Sequence, residues 1–455
     1  MPKPDPPGAK EERAATVERR ASTERARARG RRARRASHGA MSPARAALTP
    51  VKGLADVVRY WYAERNTLRQ GMVSLSISAL GNIPTGLALG AMTGRLEELP
   101  GLFILIPAAI GMRGAIFGAL GSRLGTAIQA GILRFARDPN GLLMQNIYAA
   151  TLLTFTSSLF LAIAARVFTS VTGLASISVW DFVAISVLAG VGSSVIILAV
   201  TVWLASTGSK RGWDLDSVAA PIITFVGDLI TLPALFLASF AAAEGAVTLV
   251  VAALSTVVCV WAGVMAARTD KPAARRILRE TAITLALAGV VNLIAGTVVE
   301  HRVDRFLAFP ALFIMLPSFL ENAGALGGIV SSRLASKLHL GSIRPRFLPE
   351  RLAALDISLA GPWSLLNFAA TGLGAHFVAD ALGKSSPGAA YMTGIALIAG
   401  VMATAGAAVV AYATAVATFR FDLDPDNHGI AAVTSTMDLI GVICIVAAVS
   451  ILGVS

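Results

Sequence analysis

Residues 310–341 read PALFIMLPSFLENAGALGGIVSSRLASKLHLG, and residues 100–131 read PGLFILIPAAIGMRGAIFGALGSRLGTAIQAG. Set 210 residues apart, the two stretches share Pro, Leu-Phe-Ile, Pro, Gly, Gly and Ser-Arg-Leu in register, without a gap. The same offset carries Arg69 onto Arg279, Asn82 onto Asn292, Gly86 onto Gly296, Gly190 onto Gly400, Thr224 onto Thr434 and Asp228 onto Asp438. Solenoid units run to roughly 20–50 residues, so a period this long marks two large homologous halves.

The chain is 55% hydrophobic and 15% charged, whereas soluble domains carry about 25% charged residues. This composition belongs to a polytopic membrane protein. The net charge of +12 is concentrated in residues 1–50, which hold 13 Lys or Arg against 5 Asp or Glu. Such a segment buries too little apolar surface to offset the entropy of ordering. Residues 1–60 are therefore expected to form a disordered basic tail on the cytoplasmic side. Its run RARARGRRARR, Arg25 to Arg35, reads as solvated chain, with anionic lipid or nucleic acid as the alternative contact. No nucleic-acid partner is expected.

About 20 apolar residues cross a bilayer as a helix. In the first half such runs cover Gly71–Met92, Pro100–Ala130, Leu143–Gly173, Phe182–Ser206 and Ala219–Ala243. Ala246–Ala267 follows and has no copy. The second half gives Thr281–Val299, Pro310–Leu338, Leu352–Ala379, Ala389–Thr418 and Ile430–Leu452, so the expected fold is all-α with eleven transmembrane helices. The implied units are a first repeat over 61–245, a linker helix over 246–270 and a second repeat over 271–455. Five spans and one more return the chain to its starting side, so the repeats run parallel, related by an axis along the membrane normal. Cytoplasmic loops carry the excess of Lys and Arg. Arg134 with Arg137, Lys210 with Arg211, Arg268–Arg279 and Lys337–Arg351 then lie inside, and only Arg95, Arg302, Arg305 and Lys384 outside. The expectation is a plasma (inner) membrane protein with its amino terminus in the cytoplasm and its carboxyl terminus outside.

Two acids stand inside apolar runs, Asp228 in PIITFVGDLIT and Asp438 in AAVTSTMDLIG. Placing such a side chain there costs at least about 2.5–3.5 kcal/mol on insertion scales, which makes a functional role the default reading; a protonated or paired Asp that locks helices is the alternative. Thr224 and Thr434, four residues earlier, fall on the same helix face. Paired carboxylates across a pseudo-two-fold axis suit a divalent cation, and Mg2+, which keeps most of its water, needs only one or two of them. Cys259 and Cys444 read as packing, and the histidines are scattered. Pro100, Pro107, Pro310 and Pro317, followed by Gly114, Gly118, Gly324 and Gly328, read as interrupted, closely packed helices. Glu321 aligns with Gly111 and Arg113 with Ala323, which suggests an Arg113–Glu321 pair between the repeats. Asn82 and Asn292 are expected to hydrogen-bond neighbouring helices.

The duplicated P-x6-P, Gly and SRL pattern, the late-helix Asp, and DLDPDN over Asp422–Asn427 resemble the MgtE and solute-carrier magnesium transporters, over about residues 68–452. The resemblance implies two fused five-span units and a cation path lined by the second and fifth spans of each; the chain departs from MgtE in showing no cytoplasmic sensor domains. It assigns ion binding to Asp228 and Asp438 and the loop signature to Asp424, Asp426 and Asn427, with Asp214 and Asp216 as its first copy. Backbone near Gly114 and Gly324 would complete the path. The chain departs from the pattern at Ala115 and Ala325, where the family has Asn; Asn322 is the candidate substitute. The expected function is transmembrane transport of a divalent cation, Mg2+ foremost, with a sodium- or proton-coupled exchanger or a non-transporting scaffold as alternatives. Membrane lipid and the cation are the expected partners of a monomer built as a fused pseudo-dimer. With no nucleophile, phosphate loop or redox centre in the sequence, neither an enzyme nor a resident cofactor is expected.

Overall fold

The computed structural model describes residues 53–129, 131–133, 135, 138–211, 215–242, 245–421 and 429–453. Its first half runs α1 (Leu54–Ala63), α2 (Arg65–Gly81), α3 (Ile83–Ala91), α4 (Thr93–Glu98), α5 (Leu102–Gln129), α6 (Leu142–Thr172), α7 (Val179–Arg211) and α8 (Leu215–Ser239). Helix α9 (Ala246–Arg268) links it to α10 (Pro272–Glu300), α11 (Val303–Ala308), α12 (Pro310–His339), α13 (Arg351–Ser358), α14 (Ala360–Ala381), α15 (Ala389–Arg420) and α16 (Ile430–Ile451). The described residues contain no strand.

Among the described residues, ten segments are long and apolar enough to cross a membrane. The eleventh expected span is α8, whose counted apolar part, Phe225–Ser239, falls short of that length. Two of the ten are bent pairs, α2 with α3 and α13 with α14. Proline explains both bends: Pro84 and Pro362 sit near the start of the second member and cannot donate to the turn before it. The expected interruption at Pro107 and Pro317 is not found. Both lie inside continuous helices, α5 and α12. Each removes one hydrogen bond near the helix start, to the carbonyl four residues back, and the helix runs on.

The first span of each repeat packs mainly against the other repeat. Helices α2 and α3 lie on α12, and α2 also on α14, while α10 lies on α5 and α6. The remaining edge of each returns to its own half, α3 on α8 and α10 on α16. Gly86 and Gly296 make this exchange possible. A Cβ on Gly86 would run into the Ile314 carbonyl oxygen, and one on Gly296 would stand 2.6 Å from that of Ile104. Backbone cannot step aside as a flexible side chain can. Gly86→Ala and Gly296→Ala are therefore expected to cost about 1–3 kcal/mol each through overpacking, read as a lowered thermal midpoint of the detergent-solubilised protein. An unchanged midpoint in both would contradict the close crossing.

A residue meets its own copy only where the pseudo-symmetry axis passes. Phe103 and Phe313, 210 apart, stack with ring centroids 5.5 Å apart near the starts of α5 and α12. Asp228 and Asp438, also copies, come within electrostatic reach of each other further along the bundle. Two such points at different depths make the axis run along the helices, as parallel repeats require.

Candidate cation site

Helices α8 and α16 bring the two aspartates to mid-bundle. Asp228 is buried and Asp438 half-buried. Each of these helices meets its neighbour at a glycine. A Cβ on Gly227 would lie 3.8 Å from the Gly114 nitrogen, and one on Gly324 would lie 3.8 Å from the Thr434 Cα. The approach is tighter at Gly327, where a Cβ would come within 2.8 Å of the Val433 side chain and 3.2 Å of that of Met437, the residue before Asp438.

A third carboxylate joins them. Glu321 on α12 is within electrostatic reach of both Asp228 and Asp438. Its Oε1 accepts a hydrogen bond from the Ser78 hydroxyl at 3.1 Å, so the exchanged first span takes part in the site. Among the described residues no three of His, Cys, Asp and Glu converge closely enough to chelate a bare metal ion.

The expected Arg113–Glu321 pair is not made. Arg113 is buried between α5, α6 and α7, and its Nη2 donates to the Ser158 hydroxyl at 2.6 Å beside Gly190. The second repeat fills the same place with carbon: Ala323 replaces Arg113, and the Phe368 ring lies against Gly400. Asn322 does not face the acids either, since its Nδ2 donates to Thr371 on α14 at 3.1 Å. Asn82 binds within its own segment, to the Ser78 carbonyl at 3.1 Å, and the Asn292 amide lies against Gly111. Thr434 is half-buried next to Gly324. Thr224 and Asp216 belong to α8, with side chains outside the described set, and Asp214, Asp424, Asp426 and Asn427 lie outside the described residues.

The duplicated SRL arginines have a role that the repeat alone did not reveal. Arg123 Nε donates to Asn146 Oδ1 at 3.0 Å, and Arg333 Nη2 donates to Asp356 Oδ1 at 2.8 Å. Asn146 and Asp356 are copies, an amide in one repeat and a carboxylate in the other. Asp356 also receives the Tyr60 hydroxyl of α1 at 2.6 Å and the Lys337 ammonium of α12, while Glu64 reaches Arg333 at 3.3 Å. Helix α1 is thereby strapped to the ends of α12 and α13.

Comparison with known proteins agrees with this architecture. The family described as "MgtE: Divalent cation transporter" matches residues 106–238 and again 316–448, the same 210-residue offset. Rat solute carrier family 41 member 3 is 23% identical over 405 residues, 83% of this chain and 85% of its own length. Solute carrier family 41 member 2 of Xenopus laevis is 28% identical over 62% of this chain, which spans about half (51%) of that relative. Among solved structures, the eukaryotic MATE transporter AtDTX14 aligns over 86% of this chain and 95% of its own at 14% identity, with a TM-score of 0.27, too low to inform the fold. Matched twice over more than half its length, this integral membrane protein belongs to the MgtE family of divalent cation transporters.

Proposed function

We propose that the protein carries Mg2+ across the membrane along the axis between its two repeats, residues 61–245 and 271–455 joined by the 246–270 linker. The observation that carries this reading is that Asp228 lies within electrostatic reach of its own copy Asp438, on helices α8 and α16 that pack against α5 and α12. Ionised carboxylates in such reach repel, and a divalent ion between them removes the repulsion. Acids in electrostatic reach that do not form a close chelating cluster suit an ion that keeps its water, and Mg2+ sheds water reluctantly. Thr434, and Thr224 in the other half, would hold part of the hydrated shell, together with backbone near Gly114 and Gly324. With the amino terminus cytoplasmic, the strapped end that carries α1, Arg333 and Lys337 faces inward, in keeping with the positive-inside bias.

Glu321 favours a coupled variant of this reading. Three acids in electrostatic reach, when all are ionised, carry one negative charge more than a divalent ion neutralises. A sodium ion or a proton would balance it. The test is flux: purified protein in liposomes loaded with a Mg2+-sensitive dye should admit the ion at rates well above protein-free vesicles. Acceleration by an imposed sodium or pH gradient would select the coupled variant. No flux under any gradient would sink both and leave a non-transporting relative.

A further inference from the structure

Among the described residues, the most exposed large apolar side chain is that of Phe347, at 94%, followed closely in sequence by Leu348 at 71%. Both belong to the eleven-residue connection between α12 and α13, whose backbone is held by side chains of α15. The Tyr412 hydroxyl lies 2.9 and 3.1 Å from the carbonyls of Arg346 and Leu348, and Arg420 Nη2 donates to the Pro345 carbonyl at 3.0 Å. Pro345 and Pro349 stiffen the segment further. The chain holds two apolar side chains outward on a fixed support, with the exposed side chains of Arg344 and of Arg346, whose Nε lies 3.2 Å from Glu350 Oε1, immediately before them.

Helix α1 continues this surface. Leu54, Val58 and Tyr62, spaced by four, form one exposed face. The opposite face is fastened to the bundle by Asp56 to Arg351 at 3.0 Å, Tyr60 to Asp356 at 2.6 Å and Trp61 to Ser358 at 3.0 Å. The Arg65 guanidinium covers the Tyr62 ring. Position decides the occupant. The connection joins two membrane-crossing segments, Pro310–His339 and Arg351–Ala381, and α1 leads directly into a third, Arg65–Ala91. Elements so placed lie at the bilayer surface, where apolar side chains beside arginines match the acyl boundary and its anionic headgroups. The first repeat has Arg137 and Asp138 at the positions of Phe347 and Leu348, so the feature is one-sided.

We propose that the 340–350 connection and the outer face of α1 form an interfacial anchor, with Phe347 and Leu348 in the acyl boundary and Arg344 and Arg346 on anionic headgroups. The test uses the full chain carrying Cys259→Ala, Cys444→Ala and Phe347→Cys, with a nitroxide on the new thiol. It is placed in nanodiscs of phosphatidylcholine, with or without one third phosphatidylglycerol. Elution profiles against the parent chain report folding. Expected in the anionic discs is severalfold protection of the nitroxide from an aqueous nickel chelate, with access to dissolved oxygen retained. Arg344→Gln with Arg346→Gln should remove most of that protection, as should omission of phosphatidylglycerol. A nitroxide open to the chelate in both lipids overturns the anchor. Equal protection in both lipids overturns headgroup recognition, and protection that appears only when soluble protein is added assigns the surface to a protein partner instead. None of these readouts depends on flux, so the outcome stands apart from the transport reading.

Discussion

Asp228→Asn and Asp438→Asn are each expected to cut the initial rate of Mg2+ uptake in proteoliposomes by at least tenfold, and the double variant to bring it to the protein-free background. Removing one member of a desolvated charge contact costs about 2–5 kcal/mol, and each 1.4 kcal/mol is a factor of about ten. The amide keeps the carboxylate's shape, so packing against α5 and α12 survives while half of the facing charge is lost. Asp228 should be the more sensitive, because it is the more buried of the two and feels both Asp438 and Glu321. Thermal midpoints should hold or rise, since an unoccupied pair of like charges is relieved. A lower midpoint with normal uptake would return the aspartates to a helix-locking role. Normal uptake in both single variants would remove them from the path altogether. Magnesium-auxotrophic cells give the same comparison in vivo: rescue by the parent chain and none by the double variant.

The two-fold plan was legible because a copied polar residue in an apolar run survives as a match at fixed spacing, and Asp228 with Asp438 is such a match. Exchange of the first spans was not. A repeat tells what each half contains, and nothing in Gly86 or Gly296 says whose helix they cross. The Arg113–Glu321 pairing failed for a reason visible in helix geometry. Position 113 corresponds to 323, two residues from 321, and two residues turn about 200° around a helix. Shared depth was mistaken for a shared face: Glu321 looks toward the axis, while the face of Arg113 and Ala323 looks toward the third and fourth spans. Asn322, about 100° from Glu321, misses the site in the same way. Asp356 escaped notice because its copy is Asn146, so comparison of the halves registered a difference where the structure has one function in two chemical forms. Either residue accepts from the SRL arginine of its own repeat.

That equivalence sets the second large effect. Asp356 is 1% exposed, whereas Arg333 and Lys337 remain 23% and 22% exposed. Asp356→Ala strips both cations and Tyr60 of their acceptor at once. Breaking a buried ion pair costs about 3–5 kcal/mol, and partial hydration of the two cations reduces this to about 2–4 kcal/mol. Asp356→Asn should cost distinctly less, because Asn146 already shows an amide receiving the same arginine at 3.0 Å. Arg333 also keeps Glu64 at 3.3 Å. Tyr60→Phe isolates the strap. Burial, and then the neighbouring Asp356, hold the Tyr60 phenol above its ordinary range. A raised folded pKa means that its contribution is complete below the unfolded value near 10 and is lost only as pH climbs through the folded one. The difference between Tyr60→Phe and the parent chain should therefore be flat across neutral pH. Thermal midpoints in detergent should rank parent, then Tyr60→Phe and Asp356→Asn, then Asp356→Ala. If Asp356→Asn falls as far as Asp356→Ala, the acceptor needs its charge, and the likeness to Asn146 is one of position alone.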